Sequence, residues 1–238
     1  MVRSQDALIA CVLDAFARQF PRHAVLRGGM VLRVLGSPRF TNDLDYLFVP
    51  YRSKKDVAEA IYSCLSGIPG AKVSYTINSK CLRAVITVGE ATVQVEAKVA
   101  MAAATSLAST RLVARPFGLP PRMVLVVEHS VALANKLAAW NERRLIRDIY
   151  DAWFFLQMGV LPDQETLQKR LKRPVYSRLV DADMRFKGTT VHEFCDFIRE
   201  QVSHLTDADV AAELADYLSA DELPGLAMQF RAAFVRLR

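Results

Sequence analysis

Two aspartates separated by a single residue, Asp43 and Asp45, lie in a segment whose residue types suit the binding of phosphates and a cation. The segment, residues 28–45, reads GGMVLRVLGSPRFTNDLD. The part that contains the aspartates predicts a strand, and side chains two apart on a strand share a face, so both carboxylates can bind one divalent cation. Gly28 and Gly29 lie between a predicted strand and a short predicted helix, where glycine lets the backbone approach a phosphate and helix N–H groups face it.

A third carboxylate is needed because a two-metal phosphoryl-transfer centre generally has more than two acidic ligands. Glu96 is the natural candidate. It lies in the predicted strand 92–99, where it faces away from the side that carries Val93 and Val95. If this strand lies beside the one that contains the aspartates, Glu96 joins them in one site.

Fixed positive charge lies between the glycines and the aspartates, at Arg33 and Arg39. A guanidinium group suits phosphate oxygens, which it binds as a fork. The alternative for both arginines is a salt bridge to a neighbouring carboxylate. For the aspartates, the alternative is that they only cap and solubilise an exposed strand.

The elements that must position these residues form an α+β part followed by a helical part. The predicted strands of the first part are residues 23–27, 43–49, 72–77, 82–88, 92–99 and 123–127, and its predicted helices are 4–19, 30–35 and 54–65. From residue 128 the pattern is helical to the end of the chain, with breaks at Pro174, Gly188 and Pro224. We therefore predict an α+β domain over 1–127 and a helical domain over 128–238.

The composition of the 238 residues excludes a disordered or fibrous chain, because 52% are hydrophobic and 24% charged. No apolar stretch is long enough to predict a membrane span. The four cysteines form no C-x-x-C pair, so we expect neither a zinc cluster nor a disulfide framework. This use of cysteine predicts a location in the reducing cytoplasm. Residues 1–150 contain 20 basic and 11 acidic side chains, which indicates either a polyanionic partner or merely a solvated basic surface.

The run G-G-x-x-x-R followed by R-x-T-x-D-x-D resembles the signature of AbiEii-type nucleotidyltransferases, the toxins of bacterial abortive-infection and type IV toxin–antitoxin systems. A second match is Lys136 in ALANKLAAW, followed by the run RDIYD that contains Asp148 and Asp151. The resemblance covers residues 23–158, and nothing in 159–238 indicates a function. One departure is that the wider superfamily often has Gly-Ser where this chain has Gly28-Gly29.

This resemblance implies a DNA polymerase β-like nucleotidyltransferase core with a mixed β-sheet, followed by a C-terminal helical bundle that contributes to the active-site cleft. It also implies transfer of a nucleoside monophosphate from an NTP with two Mg²⁺ ions. Asp43, Asp45 and Glu96 would be the metal ligands, with Glu96 also accepting a proton. Gly28, Gly29, Arg39 and Lys136 would bind the triphosphate. Asp148 would orient Lys136 or contact the acceptor.

Several alternatives remain open at the level of the sequence. The acceptor implied by the family is RNA, with tRNA as the first class to test, but the motifs describe only the NTP and metal side. Transfer to a small molecule or a protein fits them equally, and so does a module that binds nucleotide or RNA without turnover. Lys136 could be a surface lysine, and Asp148 a helix N-terminal acid. A cognate antitoxin and a role in phage defence are family expectations.

Overall fold

The computed structural model describes residues 4–175, 185, 186, 188 and 190–237. The chain divides into two compact units, Met1–Glu128 and His129–Arg238. This division falls one residue from the predicted end of the α+β part. The predicted helical character of residues 176–184, 187, 189 and 238 lies outside the described residues.

The first unit alternates helices and strands. Its helix α1 begins after Ser4, whose side chain accepts a hydrogen bond from the backbone N–H of Ala7, as expected for an N-cap. In chain order the unit contains α1 (Gln5–Gln19), β1 (Ala24–Arg27), α2 (Gly29–Val34), β2 (Asp43–Phe48), α3 (Lys55–Ser66), β3 (Lys72–Ile77), β4 (Leu82–Val88), β5 (Ala91–Val99), β6 (Thr105–Ser109), α4 (Arg111–Ala114) and β7 (Met123–Val127).

The seven strands form one mixed sheet in the order β3-β4-β5-β2-β1-β7-β6. The pairs β2/β5 and β1/β7 are parallel, and the other four pairs are antiparallel. The parallel pairing of β2 with β5 matters most for the site, because it places Asp45 beside Glu96. The predicted mixed sheet is confirmed, whereas β6 was not predicted.

Strands β2 and β5 have one buried apolar face and one more polar face. Leu44, Tyr46 and Phe48 alternate with the aspartates on β2 and are buried. Phe16 of α1 packs on this apolar face, with its ring centroid 4.7 Å from that of Tyr46. Burial of so many apolar side chains stabilises the sheet and leaves the opposite face for polar groups.

The second unit is helical. Its core includes aromatic side chains of two helices, Tyr150, Phe155, Phe230 and Phe234, all of which are fully buried. Two residues, Arg144 and Leu145, connect its first two helices. The helices are α5 (His129–Arg143), α6 (Ile146–Gln157), α7 (Gln164–Lys172), α8 (Val191–Ser203), α9 (Asp207–Leu214) and α10 (Leu226–Phe234).

The α+β sheet followed by C-terminal helices is the predicted fold class, which is confirmed. Among the described residues, no helix has the length and apolar character required to cross a membrane.

Candidate active site

The polar face of the sheet brings predicted site residues from two strands side by side. Asp43 and Asp45 on β2 are the register partners of Gln94 and Glu96 on β5. Paired residues on neighbouring strands project from the same face, and those two apart on one strand do so as well. All four side chains are exposed or half-buried. Strand alternation therefore predicted the face on which Glu96 lies, and the pairing of β2 with β5 places Glu96 beside Asp45.

At both glycines a side chain would come too close to a neighbouring side chain, and at Gly28 this neighbour is Asp45 of the polar face. Gly28 has a φ of 73°, and a Cβ added to it would overlap Asp45 Oδ2 and lie 3.2 Å from Asp45 Cγ. A Cβ added to Gly29 would lie 2.5 Å from Arg39 Nη2 and 3.2 Å from Thr41 Oγ1. Gly28 is thus favoured both by its positive φ and by the close approach of Asp45, and Gly29 only by the close approach of side chains. The diglycine bend and the Asp45 carboxylate form one compact arrangement.

Arg39 lies beside this bend but is only 5% exposed. Its Nη1 donates a hydrogen bond to the Phe40 carbonyl at 3.3 Å, and its backbone N–H donates to Ser37 Oγ at 3.2 Å. In this position Arg39 supports the bend, and its predicted contact with a triphosphate stays a prediction. Arg33 donates to Asp6 Oδ1 at 2.9 Å, which is the salt bridge considered as its alternative.

Glu96 has a cationic neighbour that sequence reasoning missed. Arg83 on β4 is its register partner, and Arg83 Nε and Nη2 donate to Glu96 Oε1 at 3.1 and 2.7 Å. Gln94 Nε2 donates to the same oxygen at 3.3 Å. Hydrogen bonding to Glu96 raises the pKa of Arg83, with the charges of Glu96 and, more weakly, Asp43 adding to the effect. Only the strand register could have revealed this pair.

The donor set on this face consists of carboxylate and amide oxygens, which are the ligands that Mg²⁺ prefers. The chemistry of Asp43, Asp45 and Glu96 therefore fits the implied cation. Their side chains do not form a closed cage: among the described residues, no three His, Cys, Asp or Glu side chains are grouped so that they could hold a metal ion. The expected convergence of all three acids stays a prediction, and it requires these side chains to move closer together.

The second unit contains a separate cluster of charged residues between α5 and α6. Asp148 and Asp151 are 0% and 1% exposed. Lys136 forms ion pairs with both, with its Nζ 3.8 Å from Asp148 Oδ1 and closer still to Asp151 Oδ2. Arg143 Nε and Nη2 donate to the two oxygens of Asp148 at 2.6 and 2.7 Å. Lys136 is therefore not a freely solvated surface lysine.

Within this cluster the structure brings together the two predicted residues, Lys136 and Asp148, and adds two more. Asp151 contacts Lys136 directly, and Arg143 fixes the carboxylate of Asp148. The i, i+3 spacing of the two aspartates on α6 was the signal for Asp151. Arg143 gave no sequence signal, because its contact depends on the connection between the two helices.

Solved structures of two bacterial proteins have a similar fold. MenT4, a nucleotidyltransferase toxin from Mycobacterium tuberculosis H37Rv, has a TM-score of 0.58 and 18% sequence identity, over 98% of this chain and 85% of that one. JHP933 from Helicobacter pylori has a TM-score of 0.55 and 15% identity, over 97% and 89%. No curated protein matches the chain. At these identities the structures show a shared fold.

The family itself is shown by a sequence model described as "Nucleotidyl transferase AbiEii toxin, Type IV TA system". It matches residues 11–234, which include every predicted site residue of both units. The resemblance found in the two short motifs thus extends over nearly the whole chain. The chain belongs to the AbiEii family of nucleotidyl transferase toxins of type IV toxin–antitoxin systems.

Proposed function

We propose that this nucleotidyltransferase is Mg²⁺-dependent and transfers a nucleoside monophosphate from an NTP to a hydroxyl group of RNA, with tRNA as the acceptor class. The observation that carries the proposal is the register of β2 with β5, which sets Asp45 beside Glu96 on a polar face next to the diglycine bend. Family membership supplies the reaction class.

Asp43 and Asp45 hold the cation in the proposed reaction, and Glu96 provides a further oxygen ligand. Bound Mg²⁺ would neutralise negative charge on the phosphates and orient the α-phosphate for in-line attack. Glu96 accepts the proton of the attacking acceptor hydroxyl. The new bond joins the acceptor oxygen to the α-phosphorus, and the bond from that phosphorus to the bridging oxygen breaks to release pyrophosphate.

Lys136 and Arg39 bind the triphosphate in this proposal. Lys136 is held by two buried carboxylates, so its ammonium group is fixed in one place. Asp148 acts through Lys136 by orienting it, while Arg143 holds Asp148.

The role as a toxin follows from the family. We propose that a cognate antitoxin protein binds this chain and that the pair acts in phage defence. The proposed location is the cytoplasm, where NTPs and tRNA are available. Expression of the chain alone should then arrest growth of its host, and the inactive Asp45→Asn variant should not.

The test is an incubation of the purified chain with Mg²⁺, each α-labelled NTP in turn and total cellular RNA. We expect one NTP to label RNA, with release of pyrophosphate, and Asp45→Asn to abolish labelling because a metal ligand is lost. The matched control is Asp56→Asn, a change of an exposed aspartate in the first turn of α3, which should label normally.

Three results would contradict the proposal or a part of it. Labelling that survives Asp45→Asn would show that the site is elsewhere. Labelling of a small molecule or of protein, offered in the same assay, in place of RNA would retain the reaction and change the acceptor. Binding of Mg²⁺–NTP without release of pyrophosphate over hours would indicate a module that binds without turnover.

A further inference from the structure

A row of four charged residues crosses the polar face of the sheet. Arg27, the last residue of β1, is the register partner of Asp45, which pairs with Glu96, which in turn pairs with Arg83. Directly paired residues have Cβ atoms about 5 Å apart and project from the same face. The row therefore has a carboxylate pair at its centre and a guanidinium at each end.

The two ends of the row differ in their contacts. Arg83 is bound to Glu96 by two hydrogen bonds. Arg27 is half-buried, yet it forms no hydrogen bond or ion pair with any residue in the described part of the chain, even though Asp45 is its neighbour. Other half-buried or buried arginines of this unit do have partners: Arg33 binds Asp6 and Arg39 binds the Phe40 carbonyl.

A partly desolvated charge without a partner is unfavourable, and its cost is offset when an anion binds to it. The guanidinium presents up to five N–H donors in a planar fork, which matches the oxygens of a phosphate. Arg27 also directly precedes the diglycine bend, where Gly28 approaches Asp45. Carboxylates lie beside Arg27 and repel an anion. An anion that binds Arg27 must therefore be highly charged, or carry a bound cation that offsets this repulsion.

We propose that Arg27 binds the non-bridging oxygens of the triphosphate of the bound nucleotide. The inference rests on the proposed function, in which a metal-complexed NTP occupies this face. It assigns the triphosphate a guanidinium that is more accessible than that of Arg39, which is 5% exposed and hydrogen-bonded to the Phe40 carbonyl. Arg27 is a substrate-binding residue in this account and has no part in proton transfer.

The test measures binding of Mg²⁺–ATP, inorganic triphosphate and AMP by calorimetry to the full chain and its Arg27→Ala variant. We expect Arg27→Ala to weaken Mg²⁺–ATP and triphosphate binding about 10- to 100-fold, the loss typical of hydrogen bonds to a charged group. AMP binding should be nearly unchanged. Arg27→Lys should recover part of the affinity, because it keeps the charge without the fork.

The control is Arg115→Ala, which removes an exposed arginine of the same unit from a short turn outside the sheet and should leave all three affinities unchanged. Thermal unfolding distinguishes a structural role, because Arg27→Ala removes no hydrogen bond or ion pair within the described chain and should lower the melting temperature little. Equal binding of Mg²⁺–ATP by wild type and Arg27→Ala, or a parallel loss of AMP and ATP, would overturn the inference.

The failure of this inference can be separated from failure of the proposed function. If the wild type labels RNA and Arg27→Ala binds and labels equally well, the inference alone is wrong. If the wild type binds triphosphate through Arg27 but never transfers a nucleotide, the proposed function is wrong and the inference stands. If the wild type binds neither Mg²⁺–ATP nor triphosphate, both are wrong.

Discussion

The two oxygens of the Glu96 carboxylate have different surroundings. Oε1 accepts hydrogen bonds from Arg83 and Gln94, whereas Oε2 accepts none from the residues that the structure describes. An arginine that holds one oxygen of a carboxylate fixes the direction of the other. Groups that orient a metal ligand in this way commonly contribute 10- to 100-fold to metal affinity. We therefore interpret Arg83 as a positioning residue for Glu96.

This interpretation predicts that Arg83→Ala weakens the binding of Mn²⁺, used as a spectroscopic substitute for Mg²⁺, by about tenfold. Titration followed by electron paramagnetic resonance measures it without any turnover. Lys72→Ala, a change of an exposed residue on β3, is the control and should have no effect. Tighter Mn²⁺ binding by Arg83→Ala would contradict the interpretation, because it would show that the arginine competes with the cation.

Gly28→Ala should disable the site through a direct collision. The added methyl group would overlap Asp45 Oδ2, and a φ of 73° strains any residue with a side chain. A displacement of about 1 Å at reacting groups can lower the rate roughly 100-fold, and we expect a loss of that order in labelling of RNA.

Gly89→Ala is the matched control for this substitution. Gly89 also has a positive φ, 59°, but a Cβ there would meet nothing within 4 Å. A side chain at this positive φ is strained by about 1 to 2 kcal/mol, but it meets no neighbour, so Gly89→Ala should keep its activity. Equal activity of the two variants, measured at the same folded fraction, would show that the approach of Gly28 to Asp45 has no role in the reaction.

At the scale of elements, what could be predicted depended on whether the signal was local. The N-cap of Ser4 and the spacing of apolar residues located α1 to within a residue. β6 was missed because its sequence, TSLAS, is short and largely polar, and lies at the edge of the sheet. The Arg83–Glu96 pair could not be predicted, since it depends on the register of β4 with β5. The face of Glu96 could be predicted because strand alternation is local.

Buried ion pairs connect α5 with α6. Loss of one partner from a buried ion pair typically costs about 3 kcal/mol or more. Lys136→Ala should therefore lower the free energy of unfolding by about 3 kcal/mol, because Asp151 and Asp148 are buried beside it. Lys136→Arg should lose much less, and denaturant unfolding measures both.

A matched lysine on α7 provides the control. Lys169 pairs with Glu165 across one helical turn, and both side chains are more than 70% exposed. Such exposed pairs contribute about 0.5 kcal/mol or less, so Lys169→Ala should hardly change stability. If Lys136→Ala were as stable as Lys169→Ala, the cluster between α5 and α6 would have no structural role and its lysine would be retained for substrate alone.

At the scale of the whole molecule, each unit contributes a distinct set of charged residues. The first provides carboxylates on an accessible sheet face, and the second provides a lysine held by buried acids. The family match over residues 11–234 includes both sets. Motifs and strand alternation indicated candidates in both sets, whereas Arg83 and Arg143, which contact Glu96 and Asp148, could be identified only from the fold.

The central claim is that Asp43, Asp45 and Glu96 together bind the divalent cation of an NTP complex. The most direct measurement is a crystal structure of the full chain with Mn²⁺ and a non-hydrolysable NTP analogue, in which anomalous scattering locates the metal. The account predicts Mn²⁺ at coordination distance from both aspartates and from Glu96 Oε2, with the triphosphate against the diglycine bend. Metal and nucleotide bound together with no contact to these carboxylates would contradict it.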